Sequence, residues 1–110
     1  MNKVGIIQPS YIPWIGYFNI INRVDKFVLL DTVQFDLSWR NRNRIRTNSL
    51  NGWGWLTVPI LKKGKTYQLL KDAQINNCDK WQKRHWKSIK QYYGKAKYFQ
   101  EYAPFFEEVF

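Results

Sequence analysis

Apolar positions in the first third of the chain fall into two short runs with a helical period between them. Val4, Ile6 and Ile7 form the first run, suited to a buried strand. Gln8-Pro9-Ser10 ends it, because proline cannot donate to a strand ladder. Ile15, Phe18, Ile20 and Ile21 then recur at helical spacing, and Lys26-Phe27-Val28-Leu29-Leu30 is the second run. This order predicts a βαβ unit with a right-handed crossover and two adjacent parallel strands. Both strands then end on one side, which brings the Gln8–Tyr17 loop and Asp31 together.

The pattern changes after Asp36. From Arg40 to Arg46, arginines alternate with other residues, and in an extended conformation Arg40, Arg42, Arg44 and Arg46 share one face. Asn41 and Asn43 project from the other. Asn51-Gly52 is a hairpin signal, and Trp53-Gly54-Trp55-Leu56-Thr57-Val58 reads as the returning strand before Pro59. Residues 42–58 therefore predict an antiparallel hairpin, and Tyr67 to Ile75 a further short strand. A helix opens at Asp79, an N-cap with Gln82 three residues on, and Gly94 fits its end. Trp81, His85, Ile89 and Tyr92 make its apolar stripe. A last helix carries Phe105, Phe106, Val109 and Phe110. The expected fold is α/β: a Rossmann-like βαβ unit with an added antiparallel hairpin and C-terminal helices, in one domain over residues 1–110.

Composition narrows the function. Among 110 residues, 18% are aromatic, which favours a packed domain over disorder. Net charge is +10, which favours acidic partners: nucleotide phosphates, nucleic acid or an anionic surface. The charge is concentrated beyond residue 35; the βαβ unit is near neutral. One cysteine, Cys78, rules out an internal disulfide and fits a reducing cytosol. No secretory leader is expected, and no apolar run approaches the roughly 18 residues of a membrane span. With a single His, zinc held by His and Cys is not expected, and no motif names a cofactor. His85 reads as a packed helix residue.

The candidate chemistry lies at the first strand-to-helix crossing, where open α/β sheets bind ligands. Gln8, Ser10 and Tyr11 supply polar groups there, and the helix start supplies free N–H groups. Trp14, Gly16 and Tyr17 complete the loop. Asp31, at the end of the second strand, fits a ribose, metal or amine contact and equally a turn cap. The arginine row reads as a clamp for phosphate or carboxylate, or as a charged edge strand.

Together these segments resemble the WbqC-like family. The match runs through Ile6-Ile7-Gln8-Pro9-Ser10-Tyr11-Ile12-Pro13-Trp14-Ile15-Gly16-Tyr17-Phe18, then Leu30-Asp31-Thr32-Val33-Gln34-Phe35. It continues in Trp39-Arg40-Asn41-Arg42-Asn43-Arg44-Ile45, Trp55-Leu56-Thr57-Val58-Pro59, and Trp81 with His85 and Tyr92. The resemblance implies a bacterial cytoplasmic transferase of surface-polysaccharide (O-antigen) biosynthesis, with acyl or aminoacyl (glycyl) transfer to a nucleotide-linked amino sugar. Family members are longer, so the chain resembles their N-terminal part. More distantly, the loop is similar to the place where class I nucleotidyltransferase-like folds carry His-x-Gly-His. Trp14-Ile15-Gly16-Tyr17 stands there without either histidine, so adenylyl transfer by those groups does not carry over.

On this basis Asp31 and Tyr17 are the expected catalytic residues. Gln8, Ser10, Tyr11, Trp14, Gly16, Asn41, Arg42 and Arg44 are expected to bind substrate. The expected partner is a nucleotide-linked sugar or another phosphate-bearing small molecule. A basic nucleic-acid-binding module and a non-catalytic assembly domain are the alternatives. The apolar last helix predicts pairing of copies or cover by a further segment.

Overall fold

The computed structural model describes residues 1–36, 39–65 and 67–110. Val4–Ile7 (β1) and Lys26–Leu29 (β2) pair in parallel, Val4 opposite Lys26 and Ile7 opposite Leu29. Ile15–Arg23 (α1) is the crossover. The two apolar runs and the period between them thus form the expected βαβ unit. α1 lies close on β1 because Gly5 has no side chain. A Cβ there would sit 3.1 Å from Ile20 and 3.3 Å from Val24. Tyr17, the buried residue of α1, meets Phe27 edge-on at 5.6 Å. Away from α1 the unit is bare: Val4, Ile6 and Val28 are exposed.

Arg42–Arg46 (β3) and Trp53–Thr57 (β4) form a separate antiparallel sheet, Arg42 opposite Thr57 and Arg46 opposite Trp53. One backbone bond continues past the ladder, from Val58 N–H to the Asn41 carbonyl at 2.8 Å. The turn uses Gly52 at φ 77°, a left-handed conformation that favours glycine. Ile45, Leu56 and Val58 are buried under the hairpin, and with Phe35, Trp81 and Trp86 they form the core beneath it.

The segment 67–75 is not a strand. It holds a 3-10 turn, Leu70–Asp72, between two isolated antiparallel bridges, Gln34 with Leu69 and Ile60 with Ile75. Its backbone is used on the stretch after β2. Leu70 and Lys71 N–H donate to the Val33 and Asp31 carbonyls at 2.8 and 2.9 Å. Consecutive bonds of that kind bend the chain instead of extending it.

Trp81–Tyr93 (α2) and Phe99–Val109 (α3) close the structure. Lys80, not Asp79, is the N-cap of α2, with no side-chain cap bond. The Asp79 carboxylate instead takes both guanidinium nitrogens of Arg84. A charged two-point bond outcompetes a single bond to a backbone N–H. Gly94 does follow α2, yet at φ −58°, so its role is not that of a left-handed terminator. In the stripe, Trp81 and His85 are buried while Ile89 and Tyr92 are half-buried. Trp86, one position off it, is buried too. It stacks on Phe99 at 6.0 Å and on Phe110 at 6.3 Å, joining α2 to α3.

Candidate functional site

Parallel pairing sends both strands out at the same end. Leu30 N–H donates to the Ile7 carbonyl at 2.9 Å, so β1 is left at Gln8 and β2 at Leu30, with Asp31 the next residue. From there the loop folds onto the hairpin. Tyr11 N–H donates to the Arg40 carbonyl at 3.0 Å. The Asn43 amide donates to the carbonyls of Tyr11 at 3.4 Å and Ile12 at 2.5 Å. Ile12 stands at φ 42°, in the left-handed region. For a β-branched residue this costs about 1–3 kcal/mol and persists only where neighbours impose it. The Asn43 amide is the neighbour that does so.

Three polar contacts make the centre of the crossing. Arg40 donates through its terminal nitrogen to Ser10 Oγ at 2.9 Å. Its Nε is buried and has no hydrogen-bond partner among the described residues. The Tyr17 hydroxyl donates to the Gln8 carbonyl at 3.3 Å. Burial raises the Tyr17 pKa, with the Arg40 charge opposing. The Tyr11 hydroxyl lies 2.7 Å from His85 Nδ1. Burial raises the Tyr11 pKa far above its ordinary value and lowers that of His85, against a backbone hydrogen bond with Thr57. Tyr11 therefore keeps its proton and donates it, and the neutral His85 accepts at Nδ1 and carries its own proton on Nε2. His85 is only 4% exposed, edge-on to Trp81 at 5.2 Å.

The other expected site residues divide between scaffold and surface. Trp14 precedes α1, exposed, with its ring edge-on to Tyr17 at 5.9 Å. Its indole folds back over Gly16, where a Cβ would come within 2.0 Å of Trp14 Nε1. Tyr17 is 5% exposed. Asn41 is buried and donates to the Val58 carbonyl at 2.8 Å. Arg42 and Arg44 lie on the opposite face of β3, stacked on tryptophans. The Arg42 guanidinium is 4.2 Å from the Trp55 ring, and that of Arg44 is 4.0 Å from the Trp53 ring. Asp31 is half-buried at the crossing end of β2.

Arg40 is thus the arginine that reaches the loop. The alternation sets it in one row with Arg42 and Arg44, and nothing in that spacing separates them. What separates them is that β3 begins at Arg42, so Arg40 is free of the ladder and turns toward Ser10. The bond between Tyr11 and His85 spans 74 positions and has no local signal. Chemically, the crossing offers one guanidinium with an unspent N–H beside a serine hydroxyl, while the Tyr11 and Tyr17 phenols already donate to His85 and to the Gln8 carbonyl.

A second feature adjoins it. A hollow of about 490 Å³ lies between the edge of β3, α2 and α3, and Ile12 forms part of its wall. Among the described residues no group of three or more His, Cys, Asp or Glu stands together as a metal site. No helix among them is long and apolar enough to cross a membrane.

Comparison with known proteins gives a match to the WbqC-like protein family over residues 8–110. The chain belongs to the WbqC-like protein family. It is also 40% identical, over its whole length, to the uncharacterized protein Rv1507c of Mycobacterium tuberculosis, and covers 47% of that protein. The chain therefore spans about half the length of the curated relative it matches. No solved structure gives a significant match. The Gln8–Tyr17 loop, Arg40 and His85 all lie inside the matched WbqC-like region.

Proposed function

We propose that this WbqC-like chain carries the phosphate- and sugar-recognising part of a transferase of surface-polysaccharide biosynthesis. The observation that carries the reading is Arg40. Its guanidinium is held on Ser10 at the end of a parallel strand pair, with a buried N–H left over. Parallel sheets take phosphate-bearing ligands at that end. Family membership supports a role in polysaccharide assembly. The substrate of this reading is a nucleotide-linked amino sugar, its diphosphate on Arg40 and Ser10. The sugar amine attacks the carbonyl of an activated acyl or aminoacyl ester or thioester. The C–N bond forms as the bond to the donor oxygen or sulfur breaks. The amine proton passes to Asp31 and on to the departing group. Tyr11, fixed by His85, orients the acceptor; Tyr17 holds the loop through the Gln8 carbonyl.

Calorimetric titration of the chain with UDP-glucosamine tests this. Arg40→Ala removes at least one charged hydrogen bond, about 1.5–3 kcal/mol, or roughly a 10- to 150-fold loss of affinity. Arg42→Ala and Arg44→Ala should change it less. Unchanged binding by Arg40→Ala, or a larger loss from Arg44→Ala, would move the anion site to the hairpin and sink the reading. A nucleic-acid-binding role has one observation in its favour, the positive charge of the chain with its arginines at Arg42, Arg44 and Arg46 on β3.

A further inference from the structure

The hollow beside the crossing has a composition unlike the crossing itself. Its walls include Ile45, Ile89, Phe99, Phe106 and Phe110. The Tyr93 hydroxyl accepts the outward N–H of Arg46 at 2.8 Å, which spends the polar groups where β3 meets α2. Phe99 and Phe110 are held from behind by Trp86. Of the charged residues in the lining, Arg44 turns its guanidinium onto the Trp53 ring on the outer face of β3, and the Lys97 ammonium lies 5.0 Å from the Tyr98 ring; none of the lining residues has a carboxylate side chain. Its volume of about 490 Å³ falls within the range of small-molecule sites, roughly 300–1,000 Å³. Ile12, in its wall, is two residues from Ser10, a span of at most about 7 Å of backbone. Ile12 is also the strained residue that Asn43 holds in place, so the structure maintains this wall at a cost.

We propose that the hollow binds the apolar chain of a medium-length fatty acyl group whose head is anionic. This rests on the transferase reading and names its donor: an activated fatty acyl ester or thioester. Its chain lies against Ile45 and Phe106 and its carbonyl end points past Ile12 toward the crossing. A glycyl group is too small for this space and too polar for these walls. The Lys97 ammonium in the lining favours an anionic head over a cationic one.

The test uses the whole chain and straight-chain carboxylates, hexanoate, octanoate and decanoate, each below its micelle concentration, with decylamine and pyrophosphate as companions. Affinity should tighten about fourfold for each added methylene. Decylamine should bind at least tenfold more weakly than decanoate. Ala96 is an exposed residue in the lining, so Ala96→Trp should fill the hollow without loss of fold. It should weaken decanoate tenfold or more and leave pyrophosphate binding unchanged. Lys97→Glu should weaken decanoate and not decylamine. Equal affinity across the series, or indifference to Ala96→Trp, overturns the proposal. So does a dimer in solution that excludes decanoate, since the hollow would then belong to a second polypeptide. The two readings fail separately. A flat chain-length series with pyrophosphate binding still lost in Arg40→Ala removes the acyl site alone. A steep series with pyrophosphate binding indifferent to Arg40→Ala removes the anion site alone.

Discussion

The two faces of β3 come from alternate residues of one short strand and are held in opposite ways. On the inner face Ile45 is buried and the Asn43 amide grips two loop carbonyls. On the outer face Arg44 stands exposed over the rings of Trp53, Trp55 and Trp39. Directional bonds and burial fix the first face; cation–π attraction in solvent fixes the second. The inner face positions the Gln8–Tyr17 loop, and the outer face carries charge. In sequence the same residues read as a single basic strand with the arginines as its business side. The arginine at the crossing is Arg40, which precedes the strand.

The largest test of this difference is a pair of truncations. Ile45→Ala removes a buried branched side chain from beneath the hairpin and should cost about 2–4 kcal/mol. Arg44→Ala removes an exposed cation from aromatic rings and should cost about 0.5–1 kcal/mol. Urea unfolding of both variants, compared at equal slope, checks this. Equal losses would mean that the two faces are not held differently.

A smaller effect is expected at Asn43. Asn43→Ala leaves two carbonyls without their donor and should cost about 1–3 kcal/mol. Asn43→Asp keeps the shape but turns a carboxylate toward those carbonyls, so it should be worse than Ala. If Asp is tolerated better than Ala, the amide does not hold the loop through its N–H groups.

Much of this architecture was legible from local pattern. The parallel pair followed from two apolar runs with a helical period between them. The hairpin followed from alternation and Asn51-Gly52. The misses share a physical cause, which is competition from partners outside the local motif. Leu69 and Leu70 look like strand residues, but the carbonyls of Val33 and Asp31 after β2 take the N–H groups of Leu70 and Lys71. Asp79 looks like an N-cap, but Arg84 takes its carboxylate. The crossing was legible as a place, through Gln8, Ser10 and Tyr11. Its wiring through Arg40 and His85 was not, since tertiary contact alone brings those residues there.

His85 gives the inner side a pH signature that the arginine face lacks. Burial lowers its folded pKa below the ordinary value of about 6.5. Below that value the unfolded chain binds a proton that the folded chain refuses. The His85 contribution to stability is therefore full above about pH 6.5 and declines as pH falls toward the depressed folded value. Protonation also removes the Nδ1 acceptor from Tyr11. Denaturant midpoints across pH 5–7.5 should fall on the acid side for the native chain and vary less for His85→Gln. A parallel fall in both would place the acid sensitivity elsewhere.

The smallest expected effect concerns the outer face and nucleic acid. A net charge of +10 invites polynucleotide binding, yet the tryptophan faces that a base would stack on are covered. The Arg42 guanidinium lies 4.2 Å from the Trp55 ring and that of Arg44 lies 4.0 Å from the Trp53 ring. A base must displace a guanidinium to stack there, which trades one favourable contact for another. What remains is phosphate attraction to the three arginines of β3. For a single strand, about three phosphate contacts give a log–log salt slope near −2. Oligo-dT titrations between 50 and 200 mM salt should therefore show weak binding with a shallow slope, and Arg44→Ala should reduce it by about 0.7. A slope steeper than about −4, quenched tryptophan fluorescence on binding, and a large loss in Trp53→Ala would together identify a stacking platform. The outer face would then be the functional one, and the contrast between the faces of β3 would run the other way.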